Sequence, residues 1–325
     1  MRLGTRLVGI IALSVATASP ALAQRFSFER SYDVTGPWVL DVSTLRGKIE
    51  VTAGEPGRIV IVGTATVRVD WNVPANAAEL ARKVADNPPI RREGQTVSLR
   101  SPSDAAEQRA VTVSYQVRVP PETAVTAVSE SGATTVRGVI GAVVVRTQSG
   151  AIVVGQLGGA TVITSGSGSV SADGIGGSLS ITTSSSSITA RSIAGDLRVR
   201  TNSGAVDAAL SGDSDANVET GSSAIRLSGI RGEVIAATRS GRISIQGMPR
   251  GDWVASTGSG SVDIATASAP VNLDASSGSG SVKVLGATVQ GSTTKRKVVG
   301  SVAGGGPLMK LTSRSGSIVA RLGGV

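Results

Sequence analysis

The chain has 325 residues, 42 of them Gly, with no Cys, no His, 2% aromatic and 17% charged side chains against 40% hydrophobic, and a formal net charge of +9. Without a thiol or an imidazole it offers no Ser-His-Asp hydrolase, no disulfide, and no zinc or haem site of the usual ligand sets. Small apolar residues spread along the length exclude a disordered polymer, and about 150 residues per domain allows roughly two domains.

Residues 1–23 read as an export signal. Arg2 and Arg6 precede an apolar run over residues 7–15, and Ala21-Leu22-Ala23 makes an A-x-A cleavage site, so the mature chain is expected to start at Gln24. The apolar run is too short for a bilayer core of about 30 Å, and no later run reaches about 18 apolar residues, so no transmembrane segment is expected after cleavage. A periplasmic or extracellular protein is therefore expected. Residues 24–124 hold 13 basic and 12 acidic side chains, residues 125–325 hold 17 and 11. That cationic excess favours anionic envelope polymers or lipid headgroups. Nucleic acid is disfavoured, because aromatic stacking residues are scarce and the densest basic run, Lys295-Arg296-Lys297, is short.

Residues 24–124 read as an irregular β-rich cap. Residues 58–71 and 110–119 have the pattern of longer strands. Between them, Ala77, Leu80, Ala81 and Val84 share one face of a short helix over residues 74–85, closed by Pro88-Pro89. Its expected task is to cover one end of the repeat region, since an open strand edge invites aggregation.

Residues 125–325 repeat one phrase, apolar-x-apolar-x-Thr-x-Ser-Gly-x-apolar-x-apolar, as at residues 143–154. The position after the Ser falls at Gly132, Gly150, Gly168, Ser186, Gly204, Ser223, Gly241, Gly260, Gly280 and Gly316, with gaps of 18 to 20 and a last gap of 36. Period-two alternation on both sides of the Ser-Gly corner means strands, and one unit alone has nothing to cover its apolar side. Stacked units do. The expectation is an all-β parallel β-solenoid, right-handed by the preference of parallel crossovers, of about ten 18-residue coils filled by Val, Ile and Ala. Gly-Gly pairs such as Gly158-Gly159 mark a second corner, where positive φ is expected. Residues 286–307 break the pattern and read as a protruding hairpin before the last coil.

Ser131, Ser149, Ser167 and their successors, with Thr147, Thr183 and Thr201 two residues earlier, form a hydroxyl ladder. Because the residue between the two hydroxyls varies, both are expected to face inward and to bond one another or the corner backbone. Asp196, Asp215, Glu233 and Asp252 recur eight residues before the anchor on consecutive coils. Stacked at about 4.8 Å, they could bind Ca²⁺ through oxygen ligands or be solvated turn acids meeting Arg198, Arg231 and Arg250. Asp207 with Arg226, and Asp263 with Lys283, are expected as ion pairs between neighbouring coils. Arg146, Arg200, Arg226, Arg239, Arg242 and Arg314 are the candidate contact residues on outward positions.

The export signal, the Val-Pro-Pro-Glu at residues 119–122, the serial Thr-x-Ser-Gly-x-Val phrases and the Gly-Gly-Gly-Pro ending at Pro307 together resemble the putative-adhesin β-strand-repeat family of bacterial envelope proteins. The resemblance covers nearly the whole mature chain and implies surface attachment, without catalytic residues to carry over. The resulting expectation is an exported, non-catalytic adhesin-like or scaffold module that holds an envelope polymer, glycan or protein by many weak contacts, with no cofactor beyond the possible Ca²⁺. An envelope-stress sensor binding a protein or a cell-wall fragment is the alternative. A polysaccharide lyase or hydrolase is the rival class and would need carboxylates converging across a groove.

Overall fold

The computed structural model describes residues 24–69, 73–267 and 269–323. The expected export signal lies outside the described residues. Alternation is the dominant local signal, and it folds as strands that wind between two long sheets of 15 and 14 strands, termed sheet I and sheet II. A representative coil runs along sheet I as Val143–Thr147, turns the Ser-Gly corner, returns along sheet II as Ile152–Leu157, and passes a second corner into Thr161–Ser165 of the next coil. Neighbouring coils pair in parallel and in register, Val143 beside Thr161 and Val145 beside Ile163, Ile152 beside Val170 and Val154 beside Ala172. Each inward side chain therefore meets its counterpart one coil away, and the inward residues of both sheets form one continuous core. The chain is a parallel β-solenoid.

Setting aside the antiparallel strands at its ends, each sheet keeps twelve strands among the described residues, hence twelve coils. Ten come from the repeats after residue 123; two come from the irregular N-terminal region. One of these, Val39–Thr44 with Ile49–Ala53, does not lie at the end of the stack. It sits between the coil made by Thr96–Leu99 and Val111–Val119 and the coil made by Ala124–Ser129 and Thr134–Arg137. The C-terminus does the same. Its last coil, Leu308–Ser313 with Ile318–Leu322, is inserted between Trp253–Thr257 with Val262–Thr266 and Val271–Ser277 with Val282–Leu285.

Antiparallel strands continue three of the four sheet ends. Arg58–Val67 lies on Val111–Val119 and carries Arg25–Asp33, Ile90–Glu93 lies on Thr96–Leu99, and Lys297–Val302 lies on Val271–Ser277 and carries Gln290–Thr293. The expected protruding hairpin is thus laid flat along the end of sheet I, because the edge of Val271–Ser277 would otherwise leave its backbone groups unpaired. The last anchor gap spans this excursion and the return of the chain into the stack. The helix expected over residues 74–85 is Ala77–Asp86 (α1), with Ala77, Ala81, Val84 and Ala85 buried. A second helix, Ala105–Ala110 (α2), was not anticipated; the Asp104 carboxylate caps it by accepting the N–H groups of Ala106 (2.9 Å) and Glu107 (3.0 Å).

The corners differ from expectation in two ways. Glycines of the second corner do not have positive φ. Gly177 and Gly195 are needed because a Cβ would stand 2.6 Å and 2.3 Å from the carbonyl oxygen of the glycine one coil below. Positive φ falls just before the corner instead, at Gly138, Gln156, Gly174, Ser192 and Gly229. This bulge breaks the alternation, so that Leu157, Ile175, Ile193 and Ile230 turn into the core.

Candidate binding surface

At the first corner the Thr or Ser two residues before each corner Ser is the inward hydroxyl. Thr147, Ser165, Thr183, Thr201, Thr220 and Thr238 are all buried. Thr147 Oγ1 accepts the N–H of Gly150 at 2.9 Å, Thr201 Oγ1 accepts that of Gly204 at 3.1 Å, and Ser165 Oγ donates to Gly168 O at 3.1 Å. Between coils, Thr183 Oγ1 donates to Thr201 Oγ1 at 2.9 Å and Thr257 Oγ1 to Gly241 O at 2.9 Å. The corner Ser itself, at Ser131, Ser149, Ser167, Ser185 and Ser203, is exposed, contrary to the sequence reading. Alternation holds only inside a strand; the chain is already bending at that Ser, which rotates its side chain outward.

The varying residue between the hydroxyls and the outward residue two before it form adjacent columns along the edge of sheet I. They line shallow grooves. One, of about 520 Å³, includes Thr164, Thr182, Ser184, Arg200, Asn202 and Arg239. The other, of about 570 Å³, continues the same columns toward the C-terminus with Ser256, Gly258, Ser276, Gly278, Thr312 and Arg314. Of the candidate arginines, the structure therefore places Arg200 and Arg239 in one groove and Arg314 in the other. Arg200 reaches Glu219 at 3.4 Å across neighbouring coils. Arg146 is exposed on sheet I outside both grooves, Arg226 is on sheet II, and Arg242 donates to Ser261 Oγ at 2.9 Å and lies 3.7 Å from Asp263.

Asp263 does not pair with Lys283. The inserted last coil separates them, since Val319 stands beside both, and Asp263 instead faces Arg242 and, at 4.0 Å, Arg321. Asp207 and Arg226 are register neighbours, but no ion pair joins them. Asp196, Asp215, Glu233 and Asp252 follow one another at the second corner, yet the three aspartate carboxylates are turned to backbone. Asp196 Oδ1 accepts the N–H of Asp215 (3.1 Å), Asp215 Oδ1 that of Glu233 (2.7 Å), and Asp252 Oδ1 that of Leu308 (2.8 Å). Among the described residues no group of three or more acidic side chains is placed to hold a metal ion. Arg231 and Arg250 meet Asp213, at 3.5 Å and 2.8 Å, instead of this column. Asp213 lies in the corner between the Gly204 and Ser223 anchors, one of two gaps of 19, and that extra residue was its only sequence signal.

The sequence reading also missed a polar cleft of about 810 Å³ between α1, α2 and the Ile90–Glu93 hairpin. Lys83 and Glu107 pair there at 3.0 Å, and this hydrogen bond holds the Lys83 ammonium above its ordinary pKa. The Glu107 and Ala106 N–H groups hold the Asp104 carboxyl below its ordinary pKa.

No protein-family profile and no curated protein matches the chain. Two solved structures are similar to it. One is described as a putative cell adhesion protein from Clostridium sporogenes, with 11% identity, 92% of this chain and 100% of that chain covered, and a TM-score of 0.20. The other is described as a putative adhesin from Bacteroides fragilis, with 15% identity, 74% of this chain and 97% of that chain covered, and a TM-score of 0.27. Scores of that size mark a loose likeness, and the fold stands on the strand register itself. Among the described residues no helix is long and apolar enough to cross a membrane.

Proposed function

We propose that the chain is a non-catalytic, adhesin-type binding module of the cell envelope that holds an extended acidic glycan along the first-corner edge of sheet I. The carrying observation is the pair of grooves in which the same two columns offer Thr, Ser and Asn side chains from several coils, with Arg200, Arg239 and Arg314 set among them and one acidic side chain, Glu219, held by Arg200. Coils spaced by about 4.8 Å set these polar and cationic groups at multiples of that spacing. A polymer with a repeating acidic unit gains from many weak contacts at once, which no single groove of this shallowness would supply. Four outward carboxylates support a binding role in preference to catalysis: Asp196, Asp215 and Asp252 accept backbone N–H groups and Asp213 is shared by two arginines.

The test is calorimetric titration of the full chain with long alginate fragments, beside uncharged dextran of equal length, and with reducing ends assayed in the same samples. Binding of alginate alone, weakened at least tenfold in the Arg200→Ser, Arg239→Ser, Arg314→Ser variant and without new reducing ends, is the expected result. Equal binding by that variant, or release of reducing ends, overturns the reading.

A further inference from the structure

After Asp274 the sequence contains seven Lys or Arg and no Asp or Glu. Elsewhere on the stack acidic side chains lie among the cations and meet some of them, Arg200 with Glu219, Arg231 and Arg250 with Asp213, Arg242 and Arg321 with Asp263. At the C-terminal end a group of cations has none. Lys283, Lys295, Arg296 and Lys297 have no acidic partner among the described residues and are exposed.

Three of these sit on a built turn. Thr294 N–H donates to Lys297 O at 2.8 Å, and Thr294 Oγ1 accepts the N–H of Lys297 at 3.0 Å. The turn is fastened across the open end of the first corner, because Arg296 O accepts the N–H of Ser277 from sheet I and Lys295 O accepts that of Val282 from sheet II. Main-chain bonds and the Thr294 hydroxyl hold it, so the three cationic side chains are left free for solvent or a partner. Lys283 extends the cluster on the outer face of Val282–Leu285. Two residues further along the same strands and on the same outward parity, Leu285 beyond Lys283 is 48% exposed and Val299 beyond Lys297 is 38% exposed.

We propose that this C-terminal end of the solenoid docks on a membrane surface rich in anionic phospholipid headgroups. A linear polyanion would be matched by cations strung along the length, whereas these are gathered at one end with apolar side chains next to them. Such a combination fits a headgroup layer, where each basic side chain near the surface is attracted to anionic lipid and apolar side chains enter the boundary. The stack would then stand on the membrane by its end, leaving the long faces free. This surface shares no residue with the two grooves, so either reading survives failure of the other.

The test is co-sedimentation of the full chain with vesicles of phosphatidylcholine alone or mixed with phosphatidylglycerol. Binding is expected only to the mixed vesicles and is expected to fall as salt is raised. In the Lys295→Ser, Arg296→Ser, Lys297→Ser variant, partitioning should drop about a hundredfold, from about 1 kcal/mol per basic residue. Lys283→Ser, outside the hairpin, should lower it about fivefold by the same rule. Arg58→Ser, Arg109→Ser, Arg118→Ser, an equal charge loss at the other end, should leave it within about twofold. Equal binding to uncharged vesicles, an equal loss in the N-terminal variant, or release from the vesicles by soluble polyphosphate at phosphate concentrations below that of the lipid overturns the proposal.

Discussion

Gly168→Ala tests the stacking geometry most directly. A Cβ on Gly168 would stand 1.9 Å from the Gly150 carbonyl oxygen and 2.4 Å from its carbon, where real Cβ contacts stay beyond 3.0 Å. Both atoms are backbone, so no side chain can rotate away. Relief requires the two coils to separate locally by about 1 Å out of a spacing of about 4.8 Å. The flanking bonds, Ser167 N–H to Gln148 O at 2.9 Å and Ile152 N–H to Ser169 O at 2.8 Å, would stretch beyond useful length. Losing two such bonds at about 1 kcal/mol each, or overpacking at about 1 to 3 kcal/mol, gives an expected cost of about 2 to 3 kcal/mol. The chain itself carries a Cβ at two anchors: beside Ser186 the Ser184 N–H is shared between Ser165 O and Gly166 O, each at 3.3 Å, whereas beside Ser223 the Gly221 N–H makes a single bond to Thr201 O at 3.1 Å. Gly155→Ala is the matched control, since its Cβ would meet nothing nearer than Asp173 O at 3.4 Å. Urea unfolding followed by circular dichroism should separate the two variants, and hydrogen exchange should rise first in the coils around residues 150 and 168. Should Gly168→Ala unfold within about 0.5 kcal/mol of wild type, the close carbonyl approach does not limit the corner and the reasoning is wrong.

Ending the chain after Pro307 removes a coil from inside the stack, so residues 269–307 are expected to become protease-sensitive, while a chain ended after Ala267 stays resistant over the remaining coils; a protected 269–307 segment in the longer chain would mean that Val271–Ser277 pairs with Trp253–Thr257 unaided. The Asp104 carboxyl is held low by the Glu107 and Ala106 N–H groups, so its capping of α2 is fully present above the ordinary carboxylate pKa and is lost as pH falls through its lowered folded value. Exchange at the Ala106 and Glu107 amides, corrected for intrinsic rates, should therefore accelerate on acidification and become pH-independent over that window in Asp104→Ala; pH sensitivity retained in the variant refutes the assignment. Millimolar Ca²⁺ is expected to leave the thermal midpoint unchanged, because Asp196, Asp215 and Asp252 already accept backbone N–H groups; a rise on Ca²⁺ addition that Asp215→Asn abolishes would restore the cation reading.

Sequence alone was enough to specify the coil. Alternation with period two and a corner every 18 to 20 residues leaves each unit with an uncovered apolar side, and parallel stacking covers it, which is why Val143, Val145, Ile152 and Val154 were readable as core and are buried. The phrase recurs at residues 40–51 with Arg46 in place of the corner Ser, and that segment is a coil as well. The order of coils at both ends, by contrast, emerged only from the folded chain. Local pattern specifies that a strand pairs in register with a like strand, and every coil is a like strand to every other, so the neighbour of Trp253–Thr257 could equally have been Val271–Ser277 or Leu308–Ser313. That choice separated Asp263 from Lys283 and gathered the unmatched C-terminal cations on the end of the stack. The corner Ser failed for the opposite reason: its orientation is set within a few residues, but by backbone bending that a period-two rule does not carry.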